Sequence, residues 1–182
     1  MSDLDTLIAK SVTAMAELTK RLEDGRVSLP VWQSEMERLL ARYHMAGLLM
    51  GRATQIGVPL NSPLLSERRL SREERLIVKR AVEEQIKYLQ AFAKDIKASP
   101  EWSARFNARA AMYGESPKGT YWRGRTLGMD LPGWPAVGTQ CLTRCGCAWE
   151  FDGNYARWRR STDDGCDTCF DRERNWSKVR YA

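Results

Sequence analysis

This sequence predicts a mainly α protein, an elongated helical body followed by a small α+β module at the C-terminal end. Three observations carry that expectation. Through residues 1–131 apolar side chains recur at three- and four-residue steps, the period of amphipathic helices. All five cysteines lie beyond residue 140. Between the two cysteine clusters, Asp152-Gly153-Asn154 separates runs of alternating apolar residues, which is a hairpin signal.

Leu4, Leu7, Ile8, Val12, Met15, Leu18 and Leu22 trace one face of a first helix, expected over 3–24 and closed by Asp24-Gly25. Ser28 is placed to cap a second helix over 29–56. Trp32, Met36, Leu39, Leu40 and Tyr43 form its apolar side, and Ala46, Gly47 and Gly51 allow a neighbour to approach closely. The prolines and glycine between Gly57 and Pro63 end it. Ser71 and Glu74 have the spacing of a capping box, so a third helix starts at 72 and runs to 98, burying Ile77, Val78, Val82, Ile86, Leu89 and Phe92. Ser99-Pro100 and Ser116-Pro117 both read as helix starts, predicting helices over 100–112 and 117–127. Pro132, Gly133 and Pro135 mark a linker, dividing the chain into a helical body over 1–131 and a cysteine module over 132–182.

Cys141, Cys145 and Cys147 form the first cluster and Cys166-x-x-Cys169 the second. Two residues between cysteines let both sulfurs reach one tetrahedral centre at about 2.3 Å, and soft thiolates suit Zn²⁺. Between the clusters, Cys147 to Phe151 and Tyr155 to Arg159 form the arms of a hairpin; after them, Phe170 to Val179 reads as one amphipathic helix. A cysteine knuckle, a hairpin and a helix carrying the last two ligands is a treble-clef-like arrangement. Four of the five thiols fill the shell, with Cys166 and Cys169 the firmest ligands and the remaining two open among Cys141, Cys145 and Cys147. Four sulfurs close the coordination sphere, so the zinc is expected to be structural. Paired disulfides with one thiol left over would instead suit an oxidising compartment. Met1 to Lys10 is acidic and lacks a continuous apolar core, so no signal peptide is expected.

The net charge of +6 and pI near 9.2 permit an acidic partner without specifying one. Residues 1–60 are electrically balanced, and the middle arginines (Arg68, Arg69, Arg72, Arg75, Arg80) interleave with glutamates as on a solvated helix face. Arg157, Arg159 and Arg160 beside Tyr155 and Trp158 are the candidate contacts to DNA or a partner, since guanidinium forks grip phosphate and aromatic faces stack on bases. Trp134, Trp149, Trp158 and Trp176 surround the cysteines and can supply the core that so small a module lacks; Trp122 is a candidate interface anchor. No run approaches the twenty or so apolar residues that span a bilayer. His44 is the single histidine, expected to be partly buried or on the surface; no paired acid and base and no glycine-rich phosphate loop accompany it, so no enzyme is expected.

The run Tyr88-Leu-Gln-Ala-Phe-Ala-Lys-Asp-Ile96, then Arg109-Ala-Ala-Met-Tyr113, Gly119-Thr-Tyr121, Gly133-Trp134 and Cys141-Leu-Thr-Arg-Cys145-Gly-Cys147 resembles the minor head, or head morphogenesis, proteins of tailed bacteriophages. Asp24 to Trp32 is similar to their helical opening. The cysteine segment is the most specific part. In those relatives the C-x-x-C pair commonly precedes the closely spaced cysteines, whereas Cys166 and Cys169 follow them. The resemblance implies a structural virion component, made in the bacterial host cytoplasm, that docks on capsid or portal proteins and touches packaged DNA. A zinc-dependent nucleic-acid-binding regulator is the alternative.

Overall fold

Ser2 opens the first helix, α1 (Asp3–Glu23): its hydroxyl accepts from the Asp5 N–H while the Asp5 carboxylate accepts from the Ser2 N–H. The computed structural model describes residues 2–99, 101–138, 145–161 and 165–181. After α1, Pro30 lies in the first turn of α2 (Leu29–Ile56), and Gly57, at φ 66°, ends that helix in the left-handed conformation that favours glycine. Ser28 stands at its N-cap without a side-chain capping bond. Two single-turn 3₁₀ segments, Pro63–Leu65 and Glu67–Arg69, lead to α3 (Arg72–Ala98). There the expected box forms, with Ser71 accepting from the Glu74 N–H and Glu74 from the Ser71 N–H. Glu74 is buried and also meets Arg52 of α2 at 2.7 Å, tying the start of α3 to its neighbour.

The next helix is displaced from its expected place. Ser99 terminates α3, its N–H donating to the Ile96 carbonyl, and α4 (Ala104–Glu115) starts after Ser103; residue 100 lies outside the described residues. An extended step through 101–103 carries Trp102 to the edge of Phe106, 5.3 Å between centroids, and that packing replaces the earlier start. The helix then runs past residue 112 to Glu115 and passes through Ser116 into α5 (Pro117–Arg125), which stops short of 127.

One core lies between α1, α2, α3 and α4, around Met15, Trp32, Met36, Leu89, Phe92 and Phe106. The Trp32 indole donates to Thr19 Oγ1 at 3.1 Å, so its polar edge is satisfied inside. α5 lies against α2 at backbone contact. A Cβ on Gly51 would overlap the Tyr121 carbonyl, one on Gly124 the Leu48 carbonyl, and one on Gly47 would stand 2.7 Å from the Pro117 oxygen. The small residues foreseen on α2 therefore serve helix packing.

The C-terminal segment forms an antiparallel sheet in the order β1 (Ala148–Asp152), β2 (Tyr155–Arg159), β3 (Val179–Arg180), with α6 (Asp167–Asn175) between the last two strands. Gly153, at φ 54°, allows the two-residue turn that pairs Asp152 with Tyr155. The helix expected from Phe170 to Val179 instead starts earlier and ends at Asn175. Val179 pairs with Ala156 across the sheet, a better use of a β-branched side chain than a frayed last turn.

This segment does not stand apart from the helices. Trp149, Ala156, Trp158 and three cysteines share one core with Met50 of α2, Tyr121 and Trp122 of α5, and Leu131; Leu4 and Leu7 of α1 pack against its edge. Among the described residues no helix is long and apolar enough to cross a membrane.

Candidate metal centre

Strand alternation and a helix N-terminus bring the thiols together. Cys145 and Cys147 flank Gly146 just before β1, where a side chain in place of Gly146 would meet the Ser161 hydroxyl at 2.6 Å. Cys166 is the N-cap of α6 and Cys169 lies in its first turn, its N–H donating to the Cys166 carbonyl at 2.8 Å. A C-x-x-C pair on a helix start places both sulfurs on one side and directs the positive end of the helix dipole at them, which favours thiolate.

The Sγ atoms of Cys145, Cys147 and Cys169 all lie within 4.8 Å of one another, and all three residues are buried. Cys147 and Cys169 approach to 3.3 Å, and Cys166, half-buried, brings its Sγ to 3.3 Å from Cys169 while remaining outside the mutually close trio. These separations exceed the 2.05 Å or so of a disulfide and compare with the roughly 3.8 Å sulfur–sulfur edge of a zinc tetrathiolate. The structure thus joins Cys169 to the upstream cluster, with Cys166 beside it. Cys141 lies outside the described residues.

Packing thiols so closely has an electrostatic consequence. Hydrogen bonding with Cys145 pushes the Cys147 thiol far up from its ordinary pKa; burial and contact with Cys169 push it in the same direction. Several thiolates cannot share this space unless a cation neutralises them. A soft dication fits the donor set, replacing the protons that the cluster otherwise retains.

Around the sulfurs stands an aromatic wall. Trp149 and Trp176 stack at 5.8 Å, and Trp158 meets both edge-on at 5.3 and 5.5 Å. Arg172 of α6 lies over Trp158 and Trp176, and its guanidinium donates to the carbonyls of Trp134, Val137 and Gly138 at 3.1–3.2 Å. That clamp on the linker has no signature in the sequence, because it depends on where α6 docks.

The other predicted contact residues separate by strand face. Trp158 is 1% exposed inside the core and has no face to offer a base or a partner. Alternation along β2 turns Arg157 and Arg159 outward, where both pair with Glu150, at 2.7 and 3.0 Å. Arg160 pairs with Glu173 and lies over the Phe170 ring. Trp122 is also buried, at 7% exposure, against Tyr121, so it is a core residue and not an interface anchor.

His44 is more deeply buried than expected, at 2% exposure. Its Nε2 meets Ser116 Oγ at 3.0 Å and its Nδ1 meets Thr120 Oγ1 at 3.3 Å. Burial, assisted by the nearby Arg123 charge, lowers its pKa to about 4, so the ring is neutral at physiological pH.

No protein-family model, curated protein or solved structure matches this chain.

Proposed function

We propose that this chain is a non-enzymatic structural component of a tailed-bacteriophage head, a minor capsid or head morphogenesis protein whose C-terminal module is stapled by a structural zinc ion. The observation that supports the zinc is the buried trio Cys145, Cys147 and Cys169; in this reading Cys166, whose Sγ lies 3.3 Å from that of Cys169, supplies the fourth sulfur. A closed sulfur shell has no open position for substrate, so the ion holds the hairpin to the helix and does no chemistry of its own. The virion assignment rests on the resemblance carried by Tyr88–Ile96, Arg109–Tyr113 and Cys141–Cys147. Docking on capsid or portal subunits agrees with the apolar side chains that the fold leaves in solvent near the end of α2, where Ile56, Leu60 and Leu64 are 44–52% exposed. In this reading the protein is made in the host cytoplasm and incorporated into the particle.

Two measurements test it. Elemental analysis of the purified chain should give one zinc per molecule, lost on Cys145→Ser, Cys147→Ser, Cys166→Ser or Cys169→Ser and retained on Cys141→Ser. Metal-free protein of unchanged fold would refute the staple. Mass spectrometry of purified phage particles should find the chain at a fixed low copy number; its absence from particles, with salt-sensitive binding to duplex DNA instead, would favour the regulator reading, for which outward-facing Arg157 and Arg159 are the candidate phosphate contacts.

A further inference from the structure

A cleft separates α3 from α5, and the metal centre plays no part in it. Its larger cavity, about 570 Å³, falls in the size range of small-molecule sites. The floor is buried and neutral, formed by His44, Tyr113, Ser116 and Thr120. Both His44 nitrogens already meet hydroxyls, so the floor is closed off. Arg80, Glu84 and Tyr88 form an exposed rim on α3, while Met112 and Val137 add apolar surface. A second cavity of about 340 Å³, reaching Trp134 and Leu127, shares Arg80 and Arg123 with the first.

Those two guanidiniums are the only charged groups common to both cavities. Among the described residues neither makes an ion pair, although Glu84 lines the same cavity; Arg109, the third arginine lining it, meets Asp95 at 2.5 Å. Arg123 is half-buried, lies 5.0 Å over the Trp134 ring, and its buried Nε has no hydrogen-bond acceptor. Burial disfavours its charge, Glu84 favours it, and the neighbouring Arg80 disfavours it to a smaller extent. Two neighbouring guanidiniums, neither in an ion pair and one of them half-buried, form an arrangement that an oxyanion relieves.

We propose that this cleft binds a small organic anion, with a carboxylate or phosphate head held between Arg80 and Arg123 and an apolar or aromatic body lying toward Tyr88, Met112 and Val137. Guanidinium forks supply paired donors to either head group, and the closed neutral floor favours an uncharged body over a second charge.

The test uses the full chain and three probes that differ only in the head group: benzoate, phenyl phosphate and neutral benzamide. NMR follows the Arg123 Nε–H and the Tyr88 and Tyr113 rings during titration. At least one of the two anions should give saturable shifts at these positions, identifying the preferred head, while benzamide binds at least about ten-fold more weakly; Arg80→Gln and Arg123→Gln should each weaken the anion about ten-fold, the loss of one charge-assisted contact. Arg80 is on the exposed rim, so its variant decides the matter should Arg123→Gln fail to fold. No saturable response to either anion, equal binding of benzamide, or undiminished binding to Arg80→Gln overturns the proposal.

Discussion

Trp149 and Trp158 stand directly opposite each other across the β1–β2 hairpin, their ring centroids 5.3 Å apart and their planes at 88°. Both are nearly fully buried, and Trp176 touches each of them, so three indoles fill the space behind the cysteines. A module of this size has too few aliphatic residues for a core of its own, and the edge-to-face rings provide it. Trp158→Ala should cost about 3–5 kcal/mol, the usual range for deleting a buried aromatic. The loss should appear as a lower denaturation midpoint and faster release of zinc to a chelator. Unchanged zinc release would separate the aromatic wall from the metal centre.

Gly51 defines the closest approach of α2 to α5. An added methyl group there would overlap the Tyr121 carbonyl oxygen, a backbone atom that cannot turn aside. Gly51→Ala should therefore force the helices apart and destabilise the chain by about 1–3 kcal/mol or more. Gly57→Ala is the contrasting case. Gly57 has no neighbour within 4 Å but sits at φ 66°, so that variant should lose only about 1 kcal/mol through left-handed strain. Chemical denaturation of both variants checks the order, and equal effects would mean that the α2–α5 contact relaxes freely.

These two sites differ in how far the sequence reveals them. The Ser71–Glu74 box, the apolar stripes of α1 and α2 and the Asp152-Gly153 turn are local patterns, and the structure realises each one. Strand alternation also places Trp149 and Trp158 inward and Tyr155, Arg157 and Arg159 outward, which removes Trp158 from the aromatic–arginine surface and leaves Tyr155 as its aromatic member. What failed locally was decided by tertiary packing: Ser99 ends a helix because Trp102 must reach Phe106, and Val179 leaves the helix to pair with Ala156. The trio of cysteines joins residues more than twenty positions apart, so spacing identifies the donors and only the fold selects which of them meet. Arg80 and Arg123 converge for the same reason, from helices whose relative placement no local pattern encodes.

The neutral His44 makes stability depend on pH. Its folded pKa of about 4 lies below the ordinary 6.5, so on acidification the unfolded chain takes up the proton first. The contribution is complete above pH 6.5 and is lost progressively between about 6.5 and 4, for a total of about 3 kcal/mol at 1.36 kcal/mol per pH unit. Asp5, Glu150 and Glu173 also have lowered pKa values, but as carboxylates they cost stability only as the pH falls below their ordinary values near 4. Denaturation at pH 7 and pH 5 should thus show a decline that His44→Gln removes. Taking the difference between the two proteins cancels the protonation of the cysteines, which affects both alike. An equal decline in the variant would assign the pH dependence elsewhere.

The last prediction concerns the seam between helices and module. Tyr121, Trp122 and Met50 belong to the helices, yet they are buried in the same core as Trp149, Trp158 and the cysteines, with Leu4 and Leu7 along the edge. Ending the chain after Leu131 would return two large aromatics and several aliphatic side chains to water. Each such side chain contributes about 1.5–3 kcal/mol when fully buried, and the helices keep no other cover for them. The truncated chain should retain helical circular dichroism but unfold at a lower temperature, bind an apolar dye and self-associate. Chelating the metal from the full-length protein should produce a weaker form of the same change, because the module loosens while remaining attached. A truncated chain that melts at the full-length temperature and stays monomeric would show that α1, α2 and α5 close over these residues on their own.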